Sequence, residues 1–99
     1  MPGVVRQGDV TAGHSCFPPT PPADYSPNVT CNNKRVVREG DPIVPHCCVP
    51  PPPCHGGSYC PSHSVTVNER SITLRGDPVS CGDTTSACSP NVTCCDNGT

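Results

Sequence analysis

The sequence predicts an all-β fold: a closed, pseudo-three-fold ring of three hairpins with long loops rich in proline and cysteine. Three observations lead to this prediction: fifteen prolines and nine glycines in 99 residues, two interleaved internal repeats, and chain ends that each hold half of a repeat unit. Proline lacks the backbone N–H and clashes with the preceding helical turn, and no ten-residue window carries a helical apolar period. Strands and turns are therefore expected in place of helices.

The composition limits how such a fold can be held together. Hydrophobic residues make up 32% of the chain, with no tryptophan and one phenylalanine, whereas an ordinary globular domain is nearer half apolar. We expect one domain over residues 1–99, with a core so small that disulfides, a metal or a partner surface must stabilise it. The net charge is −2 and the basic residues are scattered, so no electrostatic footprint for nucleic acid is present.

The first repeat is a strand-like arm that ends in Gly-Asp. VVRQGD at 4–9 recurs as VVREGD at 36–41 and, more weakly, as ITLRGD at 72–77. The glycine is expected to adopt a positive φ at the end of the arm, where the chain swings away. The aspartate that follows it in every copy is expected to cap backbone N–H groups rather than perform acid–base chemistry.

The second repeat supplies the partner arm of each hairpin. SPNVTC occurs at 26–31 and again at 89–94, and SHSVTV at 62–67 keeps the Ser, Val and Thr. Val, Thr and Ile, which are favoured in strands, dominate both kinds of arm. Two sixteen-residue units result, 26–41 and 62–77, and each contains one arm of either kind.

Two tight turns and the two chain ends complete the predicted ring. Asn-Asn at 32–33 and Asn-Glu at 68–69 lie at the hairpin turns, where asparagine tolerates the left-handed conformation that two-residue turns require. Residues 89–99 are a first arm without a second, and residues 1–9 are a second arm without a first. We expect these halves to pair, so that the third hairpin is formed by both termini.

The loops that follow the Gly-Asp copies carry a candidate metal site. His14 and His46 each lie six residues after the glycine of their repeat, and Cys81 lies five residues after the third glycine, so the three should converge on the three-fold axis. Zinc binds four imidazole or thiolate ligands in a tetrahedron, and four protein ligands leave no position for a catalytic water. We predict one structural Zn²⁺ per chain, with His55 as the fourth ligand and His63 as the alternative.

The other nine of the ten cysteines cannot all pair with one another. The run HCCVPPPPCHGGSYC at 46–60 could hold a disulfide that stiffens its loop. Cys31 and Cys94 are repeat equivalents, with Val67 as the third, and could be buried thiols or a bridge between arms. Reduced thiols are favoured because MPGVVRQGD lacks the features of a signal peptide, which suggests a cytoplasmic chain. Spacing alone does not specify the pairing.

The segment SPNVTCNNKRVVREGDP resembles the PAAR repeat, in which a strand, an Asn-containing turn and a Pro-Ala-Ala-Arg-like arm lead to Gly-Asp. The eponymous segment reads RVVR here, so the Pro and both Ala are replaced. The resemblance nevertheless covers nearly all of the chain, including the loop signatures GD-x4-H and GDPVSCG. It implies a small β-pyramid with a zinc near its apex, held by three His and one Cys. By loop position these would be His14, His46 and Cys81, with His55 as the remaining histidine.

The resemblance also implies a function. PAAR-repeat proteins cap a trimeric spike protein of the VgrG or phage-hub type in contractile injection machines, such as type VI secretion systems and phage tails. This chain would be a bare membrane-puncturing tip without an effector extension, one copy per trimer, made in the bacterial cytoplasm and assembled at the end of the particle. No nucleophile elbow or phosphate-cradling loop occurs, so no enzyme is expected. The alternative is a secreted disulfide-rich inhibitor or toxin, with nearly all cysteines paired and no metal.

Overall fold

The fold is built from short strands and isolated bridges, and the described part of the chain contains no helix. The computed structural model describes residues 2–48 and 53–94. These residues therefore include no helix that is long and apolar enough to cross a membrane. These residues form three antiparallel two-stranded sheets, β1-β2, β3-β4 and β5-β6. The strands are β1 (Thr30–Cys31), β2 (Lys34–Arg35), β3 (His46–Cys47), β4 (Cys54–His55), β5 (Thr66–Val67) and β6 (Arg70–Ser71). The predicted all-β class is therefore confirmed.

The β1-β2 and β5-β6 hairpins turn at the predicted residues. Thr30 pairs with Arg35 in the first hairpin, and the equivalent Thr66 pairs with Ser71 in the second, so the two share one register. Two consecutive residues with positive φ define the turn that best matches the twist of a two-residue hairpin. The φ angles are 54° at Asn32, 64° at Asn33, 53° at Asn68 and 68° at Glu69.

The two chain ends pair as the repeats predict, through a bridge rather than a pair of strands. Gly3 forms an antiparallel bridge with Thr93. The three hairpins are equivalent at this level, because one backbone hydrogen bond of 3.0 Å recurs in each of them. It runs from the Val4 N–H to the Val92 carbonyl, from Val36 to Val29, and from Ile72 to Val65.

A cycle of backbone hydrogen bonds closes the three units into a ring. The Val5 N–H donates to the Thr73 carbonyl at 3.0 Å, the Thr73 N–H donates to Val37 at 3.2 Å, and the Val37 N–H donates to Val5 at 3.1 Å. Each of these equivalent residues donates to one neighbour and accepts from the other. This relation is the one that a pseudo-three-fold axis produces.

The core is small and consists of two clusters. One cluster contains Val4, Cys31, Val36, Val67, Ile72 and Leu74, with Val29 and Cys94 packed against it. The other contains Val5, Val37, Ile43, Tyr59 and Val79, with Tyr25 and Cys81 packed against it. Cys31 is a buried thiol outside any disulfide. It therefore acts as a small apolar core residue, which is one of the two roles that the sequence allowed.

Each repeat ends in the same capped turn. The three glycines before the aspartates have positive φ angles of 86°, 85° and 92°. The carboxylate that follows accepts a hydrogen bond from the backbone N–H three residues earlier, which confirms its structural role. These bonds are Arg6 to Asp9 at 2.8 Å, Arg38 to Asp41 at 2.8 Å, and Leu74 to Asp77 at 2.7 Å.

Candidate metal centre

The structure brings His14, His46, His55 and Cys81 together, and one ligand atom of each lies within 4.8 Å of the others. Nε2 of His55 is 3.0 Å from Nε2 of His14 and 2.7 Å from Nε2 of His46, and Sγ of Cys81 is 3.8 Å from Nε2 of His14. Tetrahedral zinc with ordinary bond lengths separates its nitrogen and sulfur ligands by about 3.3–3.6 Å. The observed separations lie on either side of this range, so the four residues could hold a metal ion. We call them the His–Cys group.

Different local structures present these four side chains. His14 begins a tight turn in which its N–H and carbonyl bond to Phe17 at 3.0 and 2.8 Å. His46 and His55 face each other across the β3-β4 hairpin, which lies within the long loop that the sequence predicts after the second Gly-Asp. Cys81 lies in the loop after the third Gly-Asp. One ligand therefore comes from each of the three equivalent loops, and His55 is a second one from the longest loop.

The environment of His46 determines which of its nitrogens faces the group. Its Nδ1 lies 2.7 Å from the carbonyl oxygen of Pro18. A carbonyl only accepts hydrogen bonds, so Nδ1 carries the proton and the Nε2 of the neutral ring holds a lone pair. That Nε2 faces His55. Metal-binding histidines are commonly oriented by such a hydrogen bond on the other ring nitrogen.

Hydrogen bonds within the group satisfy the three imidazoles only weakly. Nε2 of His55 faces the Nε2 atoms of both His14 and His46, yet an imidazole nitrogen has one in-plane site, which is either a proton or a lone pair. If that site holds a proton, it can make one good hydrogen bond. When that bond goes to His46, the thiol of Cys81 at 3.8 Å is a weak partner for His14, and when it goes to His14, two lone pairs face each other between His55 and His46. A cation between the rings would be bound by all three lone pairs at once. The donor set therefore fits a metal ion.

Phe17 forms a wall beside the group, a role that no sequence pattern predicted. Its ring centroid lies 3.8 Å from that of His55 and 5.1 Å from those of His14 and His46. Desolvation, then the charges of His46 and His14, lower the pKa of His55, and Asp83 opposes the shift. The apolar ring favours the neutral imidazole, which is the form that binds metals.

Two disulfides lie beside the group. Cys16–Cys48 joins equivalent positions of two repeats, 32 residues apart, and Cys47–Cys54 joins β3 to β4. The second is the loop disulfide that the sequence allowed within residues 46–60. Among the described cysteines, the ones outside disulfides are Cys31, Cys60, Cys81 and Cys88.

His63, the alternative fourth ligand, lies outside the His–Cys group and has another partner. Its Nε2 is 2.8 Å from Oδ2 of Asp77, and both side chains are largely buried. Leu74 occupies the position where the other repeats have an arginine, so His63 takes the place of the missing guanidinium. The corresponding pairs in the other two repeats are Arg6–Asp9 and Arg38–Asp41.

The chemistry that this arrangement supports is metal binding. If all four side chains bind one ion, they occupy the four positions of a tetrahedron and exclude a metal-bound water. No protein-family model matches the sequence, and no curated protein matches it either. The interpretation of the site therefore depends on its own geometry.

Proposed function

We propose that this chain is a structural, zinc-stabilised tip that caps a trimeric spike protein of a contractile injection machine, as its resemblance to the PAAR repeat implies. The observation that supports this most is the cycle of backbone hydrogen bonds through Val5, Val37 and Thr73. It gives a single chain three similar faces around one axis. A trimeric partner can meet each face with one subunit, whereas three copies of the chain would collide on the axis. The expected ratio is one chain per VgrG-like or phage-hub trimer.

An apolar position that recurs in all three units supports docking to such a trimer. Val65 and Val92 are equivalent and expose 44% and 39% of their surface, and their third equivalent, Val29, is partly exposed. All three lie in the first arm of a hairpin, ten or more residues along the chain from every member of the His–Cys group. Burying them against a three-fold partner would remove apolar surface from water and cover short strand edges.

Zinc is the ion that this donor set favours. Imidazole and thiolate ligands in a tetrahedral arrangement select zinc over the hard cations, which prefer oxygen. Because the core is small, the free energy of metal binding would contribute directly to folding. The ion would also join the three loops at one end of the ring, which would stiffen the end that is proposed to meet the target membrane.

Native mass measurement of the chain with a trimeric spike protein from the same organism tests the docking. We expect one chain per trimer. Val65→Asp and Val92→Asp together should abolish the complex and leave metal content unchanged, because neither residue belongs to the His–Cys group. A complex with three chains per trimer, or no association with any β-helical spike trimer, would contradict the proposal.

The two disulfides favour a second candidate, a secreted disulfide-rich inhibitor or toxin-like domain. That function predicts nearly complete pairing of the ten cysteines and no bound metal. Thiol counting under denaturing conditions, together with elemental analysis, distinguishes the candidates. The spike tip requires one zinc per chain and a free thiol at Cys81, whereas the secreted domain requires neither.

A further inference from the structure

The disulfides and the histidines of the His–Cys group are close neighbours along the chain. Each of the four cysteines in the Cys16–Cys48 and Cys47–Cys54 disulfides lies within two residues of a histidine of the group. Cys16 lies two residues after His14, Cys47 and Cys48 follow His46, and Cys54 precedes His55.

The two bridges connect the three histidine-bearing segments in series. Cys16–Cys48 joins the turn that carries His14 to the end of the β3 segment, and Cys47–Cys54 joins β3 to β4. The three imidazoles therefore belong to one covalently linked unit. Cys81 approaches from the third loop, outside this unit, and packs against the second core cluster.

We propose that these disulfides assemble the three histidines before the metal binds, so that the metal affinity of the group depends on the thiol redox state of the chain. The inference rests on metal binding as proposed above and adds its regulation. The β3-β4 hairpin has two residues in each strand, and so short a hairpin has marginal stability alone. Without the bridges, the ion would have to order the three segments itself, and that conformational cost would weaken its binding.

The redox chemistry requires an external thiol or disulfide. Two thiols of the chain exchange with a low-molecular-weight disulfide, such as glutathione disulfide, which leaves as two thiols carrying the two electrons and two protons. In the reduced chain, four extra thiols lie near the group and compete with its own ligands for zinc, because thiolates are strong zinc ligands. We expect a chain in a reducing compartment to hold the ion weakly in the His–Cys group, and an oxidised chain to hold it tightly.

Titration with Co²⁺ tests this coupling, since the visible absorption of Co²⁺ reports tetrahedral coordination and its charge-transfer band reports a bound thiolate. We compare the oxidised chain with Cys16→Ser/Cys48→Ser and Cys47→Ser/Cys54→Ser, which remove one bridge each without adding competing thiols. We expect a Kd about 10- to 100-fold weaker in each double variant, the range found when groups that orient metal ligands are lost. The final spectrum should be unchanged, since all four ligands remain.

Two controls make the result decisive. Cys60→Ser removes an exposed thiol outside both disulfides and should leave the Kd of the oxidised chain unchanged. If a double variant does not fold, the intact chain is loaded with Co²⁺ and treated with a phosphine reductant. The spectrum of the group should then be lost or replaced by one with stronger thiolate charge transfer, as the freed thiols compete for the ion. Equal affinity with and without the bridges, or a spectrum that is unchanged by reduction, would overturn the inference while metal binding stands. A lack of any tetrahedral spectrum in the oxidised chain would overturn the metal site itself.

Discussion

At the scale of single residues, the histidines of this chain have two different roles. His46 donates its Nδ1 proton to the Pro18 carbonyl and directs its lone pair at the other imidazoles. His63 contacts a carboxylate, in the position that arginines fill elsewhere in the repeat. In the sequence, only the position within the repeat distinguished these histidines. A histidine that binds a metal and one that pairs with a carboxylate look alike as residues.

Replacing His46 should remove the metal. In His46→Ala, three ligands remain and the buried ring that aligns the group is lost, so we expect most of the zinc to dissociate and the melting temperature to fall. Elemental analysis and thermal unfolding measure the two effects. His63→Ala is the matched histidine control and should keep its zinc. Full zinc content and unchanged melting in His46→Ala would contradict the assignment.

Replacing His63 should destabilise the fold and leave the metal in place. In His63→Ala, Asp77, whose side chain is 13% exposed in the intact protein, loses a hydrogen-bonded partner. Removing one member of a buried polar pair typically costs about 1–3 kcal/mol. Denaturant unfolding measures the loss in the free energy of unfolding. An unchanged free energy would mean that the pair contributes nothing, and loss of zinc would make His63 a ligand.

At the scale of the elements, the repeats predicted the hairpins well. The tight turns at 32–33 and 68–69 and the pairing of the two chain ends follow from them, because equal sequences satisfy their backbone groups in equal ways. The β3-β4 hairpin was not predicted. Its strands contain two residues each and carry no alternation of apolar and polar residues, so its register depends on contacts with the rest of the molecule.

One turn can be improved by substitution. Glu69 has a φ of 68° and is exposed, and a residue with a Cβ in this conformation costs about 1–2 kcal/mol relative to the ordinary right-handed one. Glu69→Gly creates the Asn-Gly pair that favours such turns and should raise the free energy of unfolding by about 0.5–1 kcal/mol. Glu39→Gly is the control, since Glu39 is exposed without a positive φ, and it should destabilise. Equal effects of the two substitutions would contradict this account of the turn.

At the scale of the whole molecule, the proposed metal site should make stability depend on pH. The pKa of His55 is lowered, first by desolvation, and a bound ion would lower it further. A histidine with a lowered pKa in the folded state contributes stability that is fully present above its unfolded pKa of about 6.5 and is lost as the pH falls below that value. The zinc content after dialysis at a series of pH values, from neutral to about pH 3, measures the pH at which protons displace the ion from the histidines. We expect release in mild acid, and retention throughout would exclude these histidines as ligands.

The sequence by itself determined the ring and three of the four residues of the His–Cys group. Two interleaved repeats with half units at the ends require a closed arrangement, and residues at equivalent repeat positions, His14, His46 and Cys81, must then approach one axis. This prediction did not depend on the path of the loops, because pseudo-three-fold symmetry places residues at equivalent repeat positions at equivalent distances from the axis.

The tertiary structure alone decided which groups meet between the loops. It placed His55 and not His63 beside the other three ligands, packed Phe17 against the imidazoles, and paired Cys16 with Cys48. Repeat symmetry says nothing about these choices, since each involves a residue without a counterpart in all three repeats. The proline-rich loops also lack a period that would fix their path. Their course depends on distances across the folded ring, and those distances exist only once the chain has closed.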